Sequence, residues 1–494
     1  MKTTIILPAV LSAALTFSAG ICLAARPDSS GNKAGKEDQT GKISEYFNET
    51  LSNGFGGGFM SRKSIKSSDV EKVRAEIWEL WKKANASFDE EKLPELRPLD
   101  WDAKGNWHIP AVLEPDAEMS YYWGSKGEMP EGGYRTFIYL HGSGNRENEW
   151  RNGLILSANF DDSPSAYLVP RIPNTGSYYR WWQKGKQYVW EKFLRQAMLT
   201  GKTDPDRIFF IGISEGAYGS QRLASFYADY LAGAGPIAGG EPLKNAPVEN
   251  CANLAFSFRT GTEDKTFYRD ILTGYTKDAF DKFAADCPEY YVHNVELVQG
   301  ADHHTVGYFE TTPWLRDHVR NPYPRFVNWE NFEMDGLKRK GFHNIRVLEE
   351  PASLEGRRRH YVMEINDNEI EMQVGDVEYK TIQTDPVYGI EMKFEKTETP
   401  AVEGRFIIYL SDELVNLDKK VTVRVNGRTV YRGVPKRRLE NVVNSCALFY
   451  DPHRLYTAAV EVDLSRGLPT GGYRLLSTLF VSSCILFRTS SMLY

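Results

Sequence analysis

The apolar positions of this chain change period along its length. Between Thr136 and Val298, runs of strand length alternate with stretches whose apolar residues recur every three or four positions. Thr136-Phe137-Ile138-Tyr139-Leu140, Ala166-Tyr167-Leu168-Val169, Arg207-Ile208-Phe209-Phe210-Ile211 and Ala255-Phe256-Ser257-Phe258-Arg259 have the length and the apolar content of buried strands. Val292 to Val298 alternates apolar and polar residues. Trp190, Phe193, Leu194, Ala197 and Met198 form one helical face, and Ala217, Leu223, Ala224, Phe226, Tyr227 and Leu231 a second. This alternation predicts the α/β class, with a mainly parallel, doubly wound sheet.

The pattern differs on either side. Residues 26–65 are polar and glycine-bearing, with Asn53-Gly54-Phe55-Gly56-Gly57-Gly58-Phe59 among them, and read as a flexible linker. A helix is predicted from Ser68, where Ser68 and Glu71 have capping-box spacing and Val70, Val73, Ile77, Leu80 and Trp81 make one apolar stripe. It is expected to lie as an accessory helix on an α/β domain spanning residues 66–325. From Phe326 the runs at Tyr361 to Ile365, Ile370 to Val374, Ile390 to Phe394, Phe406 to Leu410 and Val421 to Val425 are short and alternating, and Asn426-Gly427 before Thr429-Val430-Tyr431 is a hairpin signal. They predict a separate β-rich, sandwich-like domain over 326–465. The tail, 466–494, turns glycine-rich and then apolar around Leu475 to Phe487, too short a run to span a bilayer, and no role is assigned to it.

Gly212-Ile213-Ser214-Glu215-Gly216 sits between the Arg207–Ile211 run and the helix that begins near Ala217. In this strand-turn-helix setting G-x-S-x-G is a nucleophile elbow, whose glycines avoid collisions with the neighbouring strand and helix. A serine hydroxyl is a weak nucleophile near neutral pH. It needs a base within hydrogen-bond reach and a carboxylate that fixes the tautomer of that base. In this arrangement the acid and then the histidine follow the serine, each after a later strand. Ala255–Arg259 runs into Gly261-Thr262-Glu263-Asp264, which makes Asp264 the favoured acid. Val292–Val298 breaks at Gly300-Ala301-Asp302-His303-His304. Adjacent histidines point their rings in different directions, so one of the two serves; His303, three residues after Gly300, is favoured and His304 is the reserve. Upstream, Thr136–Leu140 ends in His141-Gly142-Ser143-Gly144, and the amides of Ser143 and Glu215 are the expected oxyanion donors. Tyr179, Trp181 and Trp182, after the Pro173-Asn174-Thr175-Gly176 turn, are candidates to line a substrate pocket, with packing of the following helix as the alternative.

On these residues, His141-Gly142-Ser143-Gly144, Gly212 to Gly216, Gly261-Thr262-Glu263-Asp264 and Gly300-Ala301-Asp302-His303, the chain from about Arg135 to Phe309 resembles the α/β-hydrolase superfamily. More narrowly it is similar to the secreted polyhydroxybutyrate depolymerases and feruloyl esterases. The resemblance implies a serine hydrolase that cleaves carboxylic esters through an acyl-enzyme. Members of that group often carry a cysteine in the oxyanion loop and a tryptophan just after the histidine, where this chain has Ser143 and His304-Thr305. That departure leaves the acyl group open. A serine peptidase on the same fold is the alternative within the enzyme class. A non-catalytic polymer-binding or adhesion protein is the alternative outside it, although a scaffold has no need of all four elements.

Composition adds compartment and exclusions. Of 494 residues 41% are hydrophobic, enough for a sizeable core, and a net charge of -6 without a basic stripe leaves no nucleic-acid footprint. No phosphate loop, dinucleotide fingerprint or Cys/His metal spacing is present in the sequence, so neither cofactor nor metal is implied. Lys2, the apolar stretch from Thr4 to Ala24 broken by Pro8, and Ala24-Ala25 predict a signal peptide over residues 1–25 and a secreted or periplasmic protein, with no transmembrane segment once it is removed. Ile21 disfavours lipid attachment at Cys22. In an exported chain Cys251 and Cys287, which flank Asp264, are expected to pair. The expected partner is an ester substrate, polymer- or carbohydrate-linked.

Overall fold

The computed structural model describes residues 31–466 and 492–493. The signal-peptide segment with Cys22, and residues 467–491 and 494 of the tail with Cys484, lie outside the described residues.

Two helices open the described chain, α1 (Gly31–Asn53) and α2 (Val70–Ser87). A 9-stranded sheet follows, made of β1 (Arg97–Pro98), β2 (Lys104–His108), β3 (Glu118–Lys126), β4 (Tyr134–Leu140), β5 (Ser165–Pro170), β6 (Thr203–Ile213), β7 (Gly233–Ile237), β8 (Ala255–Gly261) and β9 (His293–Val298). Its order is β1-β3-β5-β4-β6-β7-β8-β9, with β2 paired to β3. From β5 to β9 every pairing is parallel, and β3 joins β5 antiparallel. Parallel neighbours need crossovers, which are supplied by α3 (Arg146–Asn159), α4 (Lys184–Leu199), α5 (Glu215–Tyr227) and α6 (Arg269–Asp286), and α7 (Thr311–Leu315) follows β9.

The strands are buried on both faces, which explains their nearly unbroken apolar runs. Ile138, Leu140, Ile208 and Phe210 face Trp190 and Phe193 of α4, Leu223 of α5 and Phe280 of α6. Their sequence neighbours Phe137, Tyr139, Phe209 and Ile211 face Trp150 of α3 and Leu315 of α7. The register sets Leu140 beside Gly212 and Gly261 beside Val298, so the loops after β4, β6, β8 and β9 all leave the same end of the sheet. Ligands of open α/β sheets bind at that carboxyl end.

The rest of the chain is β-rich. β10 (Phe326–Asn331), β13 (Arg358–Asn366), β14 (Glu369–Thr384), β15 (Glu391–Pro400), β17 (Val421–Val425), β18 (Arg428–Gly433) and β20 (Met492–Leu493) form a 7-stranded sheet. β11 (Gly341–Phe342), β12 (Ile345–Glu349), β16 (Arg405–Leu410) and β19 (Ala458–Asp463) form a 4-stranded one. The two sheets meet where Trp329 stacks on Phe342 and Tyr361 on Trp329, at centroid distances of 5.1 and 5.0 Å. α8 (Leu439–Phe449) lies between β18 and β19 in the chain.

Three expectations are corrected. The segment read as a linker is largely helix: Ile43, Phe47 and Leu51 recur every fourth residue of α1, and Phe47 packs edge-on against Trp81 of α2 at 5.0 Å. The stripe of α2 is buried chiefly with Val442, Val443 and Cys446 of α8, with Leu199 of α4 at the edge of the same cluster, so the helix does not lie on the α/β domain alone. The β-rich part is not separate. One apolar core runs from the large sheet into it, through contacts such as Phe226 with Phe332 at 5.5 Å, and Asn250 exchanges two hydrogen bonds with the backbone of Glu330. Beside this junction Arg454 donates to Asp229 (2.7 Å) and Asp451 (3.0 Å), Arg320 to Asp451 (2.7 Å) and Arg339 to Asp229 (3.1 Å). Burial would raise both carboxyls, but the arginines hold them below the usual range.

Removing one partner from a buried pair leaves an uncompensated charge, at a cost of about 3–5 kcal/mol. Arg454→Met should therefore lower stability by about that amount in urea unfolding. A loss under about 1 kcal/mol, typical of an exposed pair, would show that the cluster does not join the two parts.

Candidate active site

The strand β6 ends against β4 and α5 with no room for side chains. A Cβ on Gly212 would stand 2.2 Å from the carbonyl oxygen of Gly216, and one on Gly216 would stand 1.9 Å from that of Leu140. The backbone reverses between the two glycines, and Ser214 takes φ 58° and ψ -116°, a conformation that non-glycine residues rarely adopt. Its amide donates to Ile237 at 3.0 Å, and its carbonyl accepts from Ala217 at 2.9 Å as α5 begins.

His303 stands between Ser214 and Asp264. Its Nε2 is 3.1 Å from Ser214 Oγ, and its Nδ1 is 2.6 Å from Asp264 Oδ2. It is His303, and not the reserve residue His304, that reaches the serine, the two rings being turned 82° apart. The histidine loop is braced: Tyr308 donates its hydroxyl to the His303 carbonyl at 2.8 Å, and Asp302 Oδ1 accepts the amides of His304 (2.9 Å) and Thr305 (3.0 Å). Burial would raise the Asp264 carboxyl, but hydrogen bonding to His303 and the Arg269 guanidinium, 2.9 Å from Oδ1, hold it below the usual range.

The loop after β4 lies against the serine, since a Cβ on Gly142 would be 3.4 Å from Ser214 Cβ. His141 is fully buried, with Nδ1 2.7 Å from the Gly142 carbonyl and Nε2 accepting the Ile172 amide at 3.0 Å. Burial pushes its pKa down to about 4, so the ring is neutral and structural. Trp181 Nε1 donates to the His141 carbonyl at 3.0 Å, and the Tyr179 hydroxyl donates to the Gly142 carbonyl. In a trans peptide the N–H points opposite to the C=O, so with the Gly142 carbonyl held from behind, the Ser143 amide faces the other way.

One of the expected pocket residues is corrected here. Trp181 is 0% exposed and so packs inside; Tyr179 is 8% exposed, and both donate to backbone carbonyls of the loop after β4. Trp182 is half-buried, its ring 3.9 Å under the guanidinium of Arg222, which is itself paired with Glu241. The Cys251–Cys287 bridge is also corrected. Cys251 is a free thiol within 3.8 Å of Ser225 Oγ, and burial pushes it up to about 12. Among the described residues no group of three or more His, Cys, Asp or Glu could hold a metal ion, and no helix is long and apolar enough to cross a membrane.

Sequence reasoning missed Arg269, Tyr218, Tyr308 and the second character of Glu215. The Glu215 carboxyl is nearly buried, one of its oxygens lacks a hydrogen-bond partner, and Arg180 Nε approaches only to 3.7 Å. Burial raises its pKa to about 7, against the opposing charge of Arg180.

No family model matches the chain, and no curated protein matches it. Solved structures align with part of it. A thermostable esterase aligns over 44% of this chain and 64% of its own, at 18% identity and a TM-score of 0.34. The feruloyl esterase module from Clostridium thermocellum, complexed with sinapinate, aligns over 48% of this chain and 98% of its own, at 16% and 0.31. The fluorophosphonate-binding serine hydrolase F of Staphylococcus aureus aligns over 44% and 98%, at 14% and 0.31. Likenesses this weak leave the function to the geometry of the site.

Because the raised pKa makes Glu215 neutral below about pH 7 and anionic above it, its charge beside Ser214 is present only on the alkaline side. Glu215→Gln should leave the rate of fluorophosphonate labelling at Ser214 unchanged below about pH 6 and raise it above about pH 8. Identical pH profiles for the two proteins would contradict this assignment.

Proposed function

We propose that the protein is an exported serine hydrolase that cleaves carboxylic esters. The observation that carries the reading is the continuous hydrogen-bonded line from Ser214 Oγ through the His303 ring to Asp264. His303 takes the proton of Ser214 as Oγ attacks the acyl carbon, and Asp264 orients the ring and stabilises the imidazolium. The amides of Ser143 and Glu215 receive the negative charge of the tetrahedral intermediate, at the start of α5 where helix amides lack intrahelical acceptors. His303 then returns the proton to the departing alcohol oxygen. Water, deprotonated by the same ring, attacks the acyl-enzyme, and collapse of the second tetrahedral intermediate frees the acid and Ser214. Export is supported by Lys2 and the apolar stretch from Thr4 to Ala24.

A fluorophosphonate probe should label the folded protein at Ser214, and His303→Ala should abolish labelling while His304→Ala retains it. In a panel of p-nitrophenyl esters, feruloyl esters and peptide amides, turnover should be confined to the esters. Labelling unaffected by His303→Ala, or turnover of amides alone, would overturn the reading.

A further inference from the structure

The inference concerns the acid side of the site and rests on the serine hydrolase reading above. Only one oxygen of the Asp264 carboxylate faces His303. The other, Oδ1, accepts from Arg269 Nη1 at 2.9 Å, and Arg269 Nε donates to the Tyr218 hydroxyl at 3.0 Å. Tyr218 is on α5, and its amide donates to the Ser214 carbonyl at 3.3 Å. The contacts form a ring from Ser214 through His303, Asp264, Arg269 and Tyr218 back to Ser214. Arg269 is buried, and its guanidinium is 5.1 Å from the ring centre of Phe267 and 5.8 Å from that of Tyr218. Gly240 admits its backbone: a Cβ there would be 3.0 Å from Arg269 Cα.

What aims Arg269 comes from the β-rich part. Phe267 and Tyr268 immediately precede it with φ values of 57° and 56°. Two consecutive non-glycine residues in the left-handed region persist only where the surroundings over-determine them. Here the surroundings are the tip of the β14–β15 hairpin. The Tyr388 ring is 4.6 Å from that of Phe267 and 6.0 Å from that of Tyr268, and the nearby Asp385 carboxylate pushes the Tyr268 hydroxyl pKa up. Asp385 also accepts the amides of Val387 (3.2 Å) and Tyr388 (2.5 Å), which shapes the tip.

We propose that Arg269 is a positioning residue for the ester hydrolysis, fixing the Asp264 carboxylate toward His303, and that the β14–β15 hairpin serves the reaction by holding the 267–269 turn in place. Without the hydrogen bond from Arg269 Nη1, itself held by the bond from Nε to Tyr218, Asp264 is free to rotate away from Nδ1. Charge follows geometry. Arg269 offsets the field of Asp264 at His303; Tyr218 faces the guanidinium and Tyr308 the carboxylate, and Glu263, Asp302 and His304 flank it on the two loops. With Arg269 removed, the charge of Asp264 is no longer offset, and the acid limb of kcat/KM moves upward.

The test uses the protein with all its described parts and p-nitrophenyl acetate as substrate. Arg269→Met should lower kcat about 10- to 100-fold with KM nearly unchanged, and should move the acid limb up by about 0.5 pH or more. Arg269→Lys should restore most of the limb position but less of kcat, because an ammonium lacks the fork geometry. Asp385→Asn, which keeps the shape of the buried side chain, and Tyr388→Ala, at an exposed ring, should lower kcat by about 2- to 5-fold, a small fraction of the loss that misplacement can cause, displace the limb in the same direction and leave the thermal midpoint near that of the wild type. A wild-type limb in Arg269→Met overturns the role of Arg269. Wild-type kcat and limb in both hairpin variants overturn the role of the hairpin, and decide the matter if Arg269→Met does not fold. A wild-type protein that fails to label with fluorophosphonate at Ser214 sinks the serine reading itself; normal labelling with unchanged variants sinks the proposal alone.

Discussion

At the end of β4 the Leu140 carbonyl oxygen and the first turn of α5 are so close that residue 216 has no space for a single carbon beyond its Cα. This contact ties the loop after β4 to the turn that carries Ser214. Gly212 is under the same constraint from the Gly216 carbonyl, so the chain reverses in the shortest way available and Ser214 is left in its strained conformation. The strain is offset by packing, since α5 buries Gly216, Ala217, Leu223, Ala224 and Phe226 against the sheet and the β-rich part. Ser214 Oγ is therefore placed by backbone and core, and His303 meets it from a loop leaving the same end of the sheet.

Around that fixed point, charge is handled by pairing. Asp264 is shielded from solvent yet remains ionised, because each of its oxygens has a donor. His141 takes the opposite course and stays neutral, its ring nitrogens engaged with the backbone of Gly142 and Ile172. The junction between the large sheet and the β-rich part repeats the first solution on a larger scale, with Asp229 and Asp451 enclosed by Arg320, Arg339 and Arg454. At the junction Asp229 belongs to the large-sheet part, while Arg339 and Arg454 come from the β-rich part more than 100 residues away in sequence.

The main strands and the ends where Ser214, Asp264 and His303 stand could be read from the sequence because period and punctuation coincide there: each apolar run stops at a glycine-bearing turn. Other features leave no such trace. The polar composition of α1 conceals the stripe of Ile43, Phe47 and Leu51. Aromatic residues after a turn look alike whether they line a pocket or brace a loop, and only the hydrogen bonds of Trp181 and Tyr179 to backbone carbonyls distinguish the two. Cys251 and Cys287 flank a segment in sequence, which does not bring their sulfur atoms together. The change to short alternating strands after Phe326 marks a change of layer, not of core. Arg269 follows Phe267 and Tyr268, whose left-handed backbone is imposed by a hairpin about 120 residues away in sequence, a relation no local pattern records.

The central claim is that Ser214 carries the acyl group. Rapid quenching of the protein with a p-nitrophenyl ester in acid, followed by mass analysis of the intact chain and of the Ser214 peptide, tests it directly. The account predicts a transient gain of one acyl mass on the peptide containing Ser214, formed with the first burst of p-nitrophenol and lost on further incubation. Turnover with no adduct at Ser214, or with the adduct on another residue, would contradict it.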